Sequence, residues 1–205
     1  SDQFEINFLP GDASFRRYAR IKLNNKTFML MDAPPEKEDC VPFVTIDEFF
    51  DTNGVRVPHI VAKDLEQGFL LLEDFGDVLL STQLDDKTVD AHYAQSFKQL
   101  IQLQSIDGAG HFPAYSYEKL ITEMSLLTDW LLPSLQIQPS DDESALIKRT
   151  FAILANAALA QPQVIVHRDF HSRNLMLLVD EQEQGVIDFQ DAVIGADTYD
   201  LISIT

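Results

Sequence analysis

The sequence predicts an α+β fold in two lobes, and three observations carry that expectation. Residues 1 to about 72 hold short alternating or apolar runs broken by turn-forming clusters, the stretch from about 77 to 160 is dominated by helical periodicity, and two apolar runs around a polar turn follow it as a hairpin. With 205 residues and 45% apolar content the chain has enough material for one large domain or two small lobes. The divisions fall at 1–72 for the first lobe, 73–76 for a linker and 77–205 for the second lobe. No internal repeat or low-complexity tract interrupts them.

In the first lobe, residues 15–23 and 27–31 flank Asn24-Asn25-Lys26 and read as a hairpin. Pro34-Pro35-Glu36-Lys37-Glu38-Asp39 forces a loop. Pro42 suits a first helical turn, Phe43, Ile46, Phe49 and Phe50 recur at helical spacing, and Gly54 suits the helix end. Residues 57–61 and 69–72 are further strands, the second running into Glu73-Asp74-Phe75-Gly76. In the second lobe, Val89, Tyr93, Phe97, Leu100 and Ile101 mark a helix ending near Gly108, and Tyr117, Leu120, Ile121, Met124, Leu127 and Leu131 mark another. Ser140-Asp141-Asp142-Glu143 is a capping box opening a third helix, with Leu146, Ile147, Phe151 and Leu154 on its apolar face and Gln161-Pro162 at its stop. These apolar stripes are expected to be core. Residues 163–166 then lead to His167.

The densest chemistry follows: His167-Arg168-Asp169-Phe170-His171-Ser172-Arg173-Asn174, with Asp188 fourteen residues after Asn174 inside Ile187-Asp188-Phe189. The pattern H-R-D-x-x-x-x-N is that of a phosphoryl-transfer loop, whose Asp accepts the proton of the attacking hydroxyl and whose Asn holds Mg²⁺ together with a later Asp. The spacing has a physical reason. Residues 175–179 form a strand, 180–185 a polar turn and 186–189 the returning strand, so Asn174 and Asp188 meet at the open end of a hairpin. Asp169 is then the base, Asn174 and Asp188 the metal ligands, and His167, at the end of a buried strand, a scaffold residue. His171 and Arg173 lie inside the loop and are candidates for contact with substrate.

Composition excludes several classes. Fifteen basic against 33 acidic residues give a formal net charge of −18, which repels nucleic acid and anionic membranes. The longest apolar run is far too short for a membrane helix, and the first residues lack the pattern of a signal peptide. Cys40 is the only cysteine, so no intrachain disulfide forms. These features point to the cytoplasm.

Together with Gly11-Asp12-Ala13-Ser14-Phe15-Arg16-Arg17-Tyr18, Met31-Asp32-Ala33-Pro34-Pro35-Glu36-Lys37-Glu38-Asp39, Leu71-Leu72-Glu73-Asp74-Phe75-Gly76-Asp77 and Asp188-Phe189-Gln190-Asp191-Ala192, the loop resembles the aminoglycoside phosphotransferase and choline kinase superfamily. Within it, the chain is similar to the bacterial anomeric kinases that phosphorylate N-acetylmuramate and N-acetylglucosamine at C1 in cell-wall recycling. The resemblance covers nearly the whole chain. It implies a two-lobed protein-kinase-like fold, ATP between the lobes, Mg²⁺ on Asn174 and Asp188, and a sugar against the second lobe. It further implies that Gly11, Asp12, Ala13, Ser14 and Phe15 cover the phosphates and that Glu73, Asp74 and Phe75 form the hinge beside adenine. Asp191 is expected to be structural.

Two departures stand out. Gly11 is the only glycine of the phosphate-covering segment, and the strand expected to carry an ATP-pairing lysine reads Phe28-Met29-Leu30-Met31-Asp32. The nearest cations are Arg16, Arg17, Arg20 and Lys22, with Arg17 on the opposite face from the other three. Arg17 is a nucleotide-binding candidate, and Glu48 is the expected counterpart of the glutamate that normally pairs with the lysine. The chain stops seventeen residues after Asp188, whereas the family's second lobe continues, so substrate contacts from that part lie outside this sequence. Two other readings stay open: a kinase for a cationic metabolite, which the acidic surface suits, and a nucleotide-binding interaction module without catalysis.

Overall fold

The computed structural model describes residues 4–10, 15–24, 26–178 and 183–205. The first lobe is an antiparallel sheet of β1 (Phe4–Phe8), β2 (Arg17–Leu23), β3 (Lys26–Asp32), β4 (Ile60–Asp64) and β5 (Phe69–Glu73) in the order β1-β2-β3-β5-β4. Helix α1 (Val41–Thr52) crosses between β3 and β4, with Pro42 in its first turn and Gly54 in the left-handed region just past its end, as the sequence predicts. Its face of Phe43, Val44, Ile46 and Phe50 is buried. Phe43 and Phe50 reach Phe189 of the second lobe, with ring centroids 5.0 and 5.8 Å apart. The residue after Asp188 is therefore gripped by the first lobe.

The linker is fastened from both sides. Arg20 on β2 donates Nε to Asp74 Oδ2 at 2.6 Å and Nη2 to Asp74 Oδ1 at 2.9 Å, while Nη1 reaches Asp77 at 2.8 Å. Arg56, in the loop before β4, forks onto Glu73 at 2.7 and 2.6 Å and lies 4.7 Å from the Phe75 ring centre. Two planar guanidinium forks thus fix successive linker carboxylates, an arrangement lysine cannot make. Phe75 rests on Gly185, where a Cβ would come within 2.3 Å of the ring. Glycine is needed there for packing.

The second lobe holds α2 (Val89–Gln104), α3 (Tyr117–Met124), the short α4 (Leu132–Ser134), α5 (Asp141–Leu159) and α6 (Thr198–Ile204). Strands β6 (Gln163–Val166) and β9 (Val193–Ala196) form one antiparallel pair, and β7 (Leu175–Leu178) and β8 (Glu183–Val186) another. The capping box at Ser140 is present in both directions, Glu143 N–H to Ser140 Oγ and Ser140 N–H to Glu143 Oε2. The hairpin differs in one detail from the sequence expectation. Its return strand begins at Glu183, so Gln184 and Gly185 belong to the strand and not the turn, and Ile187-Asp188-Phe189 lie beyond it. Buried Gln184 explains the early start: its Nε2 donates to the His92 carbonyl at 3.0 Å and its Oε1 accepts from Ser96 at 2.8 Å, which holds β8 against α2.

Two expectations are corrected. The helix expected over 117–131 ends at Met124 and resumes as a π-helical turn, Leu127–Leu131. Pro133 cannot donate to the carbonyl four residues back and its ring crowds it, so the backbone ahead of it widens. The stripes expected to be core are covered only in part: Leu100 is buried and Tyr93, Phe97 and Leu120 pack against the core, while Leu131, Leu146, Leu154 and Ile101 are half or more exposed and Ala155 is the only buried residue of α5. Helix α5 lies on α3 and β9 along one side, and among the described residues nothing covers the rest. The main core joins the sheet, α1 and the β7–β8 hairpin with the inner face of α2 at Leu100 and Leu103.

The Arg20 fork gives a direct test. Asp74 has a side chain only 4% exposed, so Arg20→Met strands a buried carboxylate, and urea denaturation is expected to read a loss of roughly 2–4 kcal/mol. An unchanged midpoint and slope would show that the fork adds no stability.

Candidate active site

The hairpin assembles the site. Its ladder runs one residue past β8, with Ile187 N–H on the Asn174 carbonyl at 3.0 Å, and this brings Asn174 and Asp188 side by side. Asn174 Nδ2 lies 3.4 Å from Asp188 Oδ2 and donates to the Asp169 carbonyl at 3.0 Å. Asp169, Asn174 and Asp188 therefore share one end of the hairpin. Asp169 and Asp188 are exposed, and Gln190 Nε2 holds Asp188 Oδ1 at 3.0 Å. Asp188, like Arg168, has a positive φ, a conformation that costs a non-glycine residue energy and clusters at functional sites.

His167 is fully buried and shapes the loop, as the sequence reading expects of a scaffold residue. Its Nε2 meets the Ile187 carbonyl at 3.0 Å, and its Nδ1 accepts the Asp169 N–H at 3.3 Å. This pattern assigns the neutral Nε2–H tautomer. Burial pushes its pKa down to about 4, partly opposed by the Ile187 carbonyl and the Asp188 charge. One unionised imidazole thus ties the residue before Asp188 to the backbone of Asp169.

Asp200 on α6 braces the same turn, accepting the His167 N–H at 2.6 Å and the Arg168 N–H at 3.0 Å. Burial raises its pKa to about 6 against the pull of those two donors. Sequence reasoning missed Asp200, because it stands 31 residues beyond Asp169 in a segment with no motif of its own.

Beside the triad opens a cavity of about 540 Å³ between the lobes. Met29, Leu72 and Met176 supply apolar walls, Glu73, Asp74 and Phe75 line it along the linker, and Asn174 and Asp188 line it at the hairpin end, while Asp169 stands outside the lining. The carboxylates of Glu73 and Asp74 are consumed by arginine. The Arg56 fork holds Glu73 below the usual carboxylate range; burial opposes ionisation of Asp74, and the bonds from Arg20 and the Gly76 N–H outweigh it. Asp191 also lines the cavity.

The remaining candidates fall elsewhere. Gly11, Asp12, Ala13 and Ser14 lie outside the described residues. Phe15 is exposed, with Lys37 Nζ 5.1 Å from its ring centre, and does not line the cavity. Arg17 is paired with its cross-strand neighbour Asp32 and does not line it either. Arg16 does, 3.5 Å from Glu38. Strand alternation put the two on opposite faces, and the face turned inward is that of Arg16. Glu48 points outward to Lys63, while its neighbour Asp47 is the buried carboxylate of α1. His171 and Arg173 stay in the loop between Asp169 and Asn174, away from the cavity lining.

The metal expectation can be judged by donor chemistry. Among the described residues no group of three or more His, Cys, Asp or Glu side chains is arranged to hold a metal. One amide oxygen and one carboxylate fit Mg²⁺, which keeps several waters and relies on substrate phosphates for its other oxygens.

The model of the phosphotransferase enzyme family (APH) matches residues 5–205. The chain belongs to that family. It is 44% identical over 191 residues to an N-acetylmuramate/N-acetylglucosamine kinase of Pseudomonas aeruginosa, covering 93% of this chain and 56% of that relative. A kinase of the same name from Neisseria meningitidis is 35% identical over 207 residues, covering 98% of this chain and 61% of the relative. The chain thus spans little more than half the length of these relatives. Among solved structures, the aminoglycoside phosphotransferase APH(2'')-Ib with ADP bound superposes with a TM-score of 0.66 at 20% identity, over 97% of this chain and 69% of that one. A Plasmodium vivax ethanolamine kinase gives 0.63 at 15% identity, over 97% and 59%. At such identities the likeness concerns the fold, and it bears out the two-lobed kinase-like architecture. No described helix is long and apolar enough to cross a membrane.

Asp47 yields a prediction in pH. Its Oδ2 is buried without a hydrogen-bond partner, and burial, reinforced by Asp51 and Glu48, lifts its pKa from 3.8 to about 8. Between those values the folded protein keeps a proton that the unfolded chain releases. Its stabilising contribution is therefore complete below about pH 4 and is lost as pH rises through about 8. Asp47→Asn should match the parent near pH 4 and melt several degrees higher at pH 8.5, with differential scanning calorimetry as the measurement. A constant difference at both pH values would contradict the buried-acid account.

Proposed function

We propose that the protein is an ATP- and Mg²⁺-dependent small-molecule kinase that phosphorylates the anomeric C1 hydroxyl of N-acetylmuramate or N-acetylglucosamine, in peptidoglycan recycling. The observation that carries the reading is the convergence of Asp169, Asn174 and Asp188 beside a cavity lined by the linker between the lobes. The names of its relatives supply the sugar, and its family supplies the reaction type.

The Asp169 carboxylate, exposed next to the cavity-lining Asn174, orients the sugar hydroxyl and takes its proton as the oxygen attacks the γ-phosphorus. The new bond is between sugar oxygen and phosphorus; the bond from γ-phosphorus to the bridging oxygen breaks, and ADP leaves with that oxygen's electrons. Asn174 and Asp188 would hold Mg²⁺, which when bound offsets the charge on the phosphate oxygens. Met29, Leu72 and Met176 would exclude water around the adenine ring, whose edge would meet linker backbone. Arg16, the residue before β2, lines the cavity and would face the phosphates in place of the missing strand lysine, with its partner Glu38 taking the part expected of Glu48.

Coupled ADP detection over a sugar panel, followed by phosphorus NMR, tests the reading. A C1 phosphate on an N-acetyl sugar is expected, whereas phosphorylation of choline or kanamycin instead, or nucleotide binding with no turnover, overturns it. Asp169→Asn should lower kcat by about 10²–10⁴ with ATP binding retained. Arg16→Ala should raise the KM for ATP about tenfold or more, against a near-parental value for Arg17→Ala.

A further inference from the structure

Arg168, immediately before Asp169, is held at φ +80°, in the left-handed region that non-glycine residues avoid. A loop that needs this conformation at an arginine must hold it by other contacts. The side chain supplies them: Arg168 Nη2 donates to Glu123 Oε1 on α3 at 2.7 Å, and the guanidinium carbon lies 5.6 Å from the Tyr115 ring centre. Tyr115 is buried, and its hydroxyl donates to the other carboxylate oxygen, Glu123 Oε2. Its ring lies 5.5 Å from that of Tyr199, the residue before Asp200. Burial works against the Arg168 charge, and Glu123, Tyr115 and Asp191 together outweigh it, so the guanidinium pKa is raised. Burial and Glu123 together push the Tyr115 phenol well above its ordinary value, keeping it a donor.

We propose that Glu123, with Tyr115, is a positioning residue for Asp169: by clamping the Arg168 side chain it holds the strained backbone that presents the base to the substrate. Glu123 touches no reacting atom. Its two oxygens are divided between the arginine and the tyrosine, so neither partner keeps its geometry once the carboxylate is lost. Asp200 fixes the amide N–H groups of the same turn, while Glu123 fixes the side chain that emerges from it. The two supports come from different helices and act on different atoms.

The proposal rests on Asp169 being the base, so its test has one arm that needs turnover and one that does not. In the kinase assay, Glu123→Gln is expected to lower kcat about 10- to 100-fold with the KM for ATP within about twofold of the parent. Arg168→Gly introduced into that variant removes the backbone cost, because glycine adopts positive φ freely, and should recover at least about threefold of the loss. Hydrogen exchange followed by mass spectrometry should show faster exchange over 167–174 in Glu123→Gln and no change over the linker 73–76. A parental kcat, a loss carried by KM alone, a double variant no better than Glu123→Gln, or unchanged exchange over 167–174 each overturns the proposal. If the parent transfers no phosphoryl group, the sugar-kinase reading fails and the exchange difference decides this one.

Discussion

The buried imidazole of His167 is the interaction on which the rest depends. It is uncharged, it has one donor and one acceptor, and both are spent, on the Ile187 carbonyl and the Asp169 amide. Those two groups belong to the two halves of the candidate site, the loop that carries Asp169 and the strand end that carries Asp188. Protonating the ring would turn its acceptor into a second donor facing an amide N–H. Replacing it with an apolar group would leave a carbonyl and an N–H without partners, at about 1–3 kcal/mol each. Its low pKa, set by burial, is thus the condition under which both bonds exist together.

From that centre the connections run outward to both lobes. The Val186 N–H, at the end of β8, donates to the Arg56 carbonyl at 2.7 Å, and the Arg56 side chain forks onto Glu73. A single residue of the first lobe therefore grips the catalytic hairpin with its backbone and the linker with its side chain. Phe189 adds apolar weight beneath α1, and Phe75 packs on Gly185 from the opposite direction. Any tilt of the hairpin relative to the linker would have to break these contacts together, so the cavity and the triad move as one unit.

How much of this was legible in the sequence follows from the range of each interaction. The triad was readable because its geometry is local: a strand, a turn and a returning strand fix Asn174 and Asp188 whatever surrounds them. The linker carboxylates were placed beside the cavity, but their arginine partners, Arg20 and Arg56, are brought in by sheet register across 54 and 17 positions. Arg17 and Glu48 were chosen for residue type, while the face that turned inward was decided by pairings with Asp32 and Lys63 that no spacing reveals. The stripe of Leu146 and Leu154 has the periodicity of a buried face without a described element to bury it. Periodicity records what a helix can cover and is silent on whether anything covers it.

Charge sets a further constraint that the geometry must meet. Under the proposed function, a chain of net charge −18 has to accept a nucleotide polyanion beside three aspartates and an asparagine. The local cations are mostly committed: Arg20 to Asp74 and Asp77, Arg56 to Glu73, Arg168 to Glu123, and Arg17 to Asp32. Two of these pairs, Arg20–Asp74 and Arg56–Glu73, cancel carboxylates of the cavity wall. Under the proposed function, direct compensation comes from Arg16, the one Lys or Arg among the described residues lining the cavity, and from a cation held by Asn174 and Asp188. A site whose fixed charges are nearly all internally paired does not favour a polyanion through its bulk field; it relies on a few groups at short range, where the low dielectric of the cleft makes each of them count. Under the proposed function, losing Arg16 should therefore weaken nucleotide binding far more than losing any surface lysine, and its 3.5 Å pairing with Glu38 sets that guanidinium on the cavity wall.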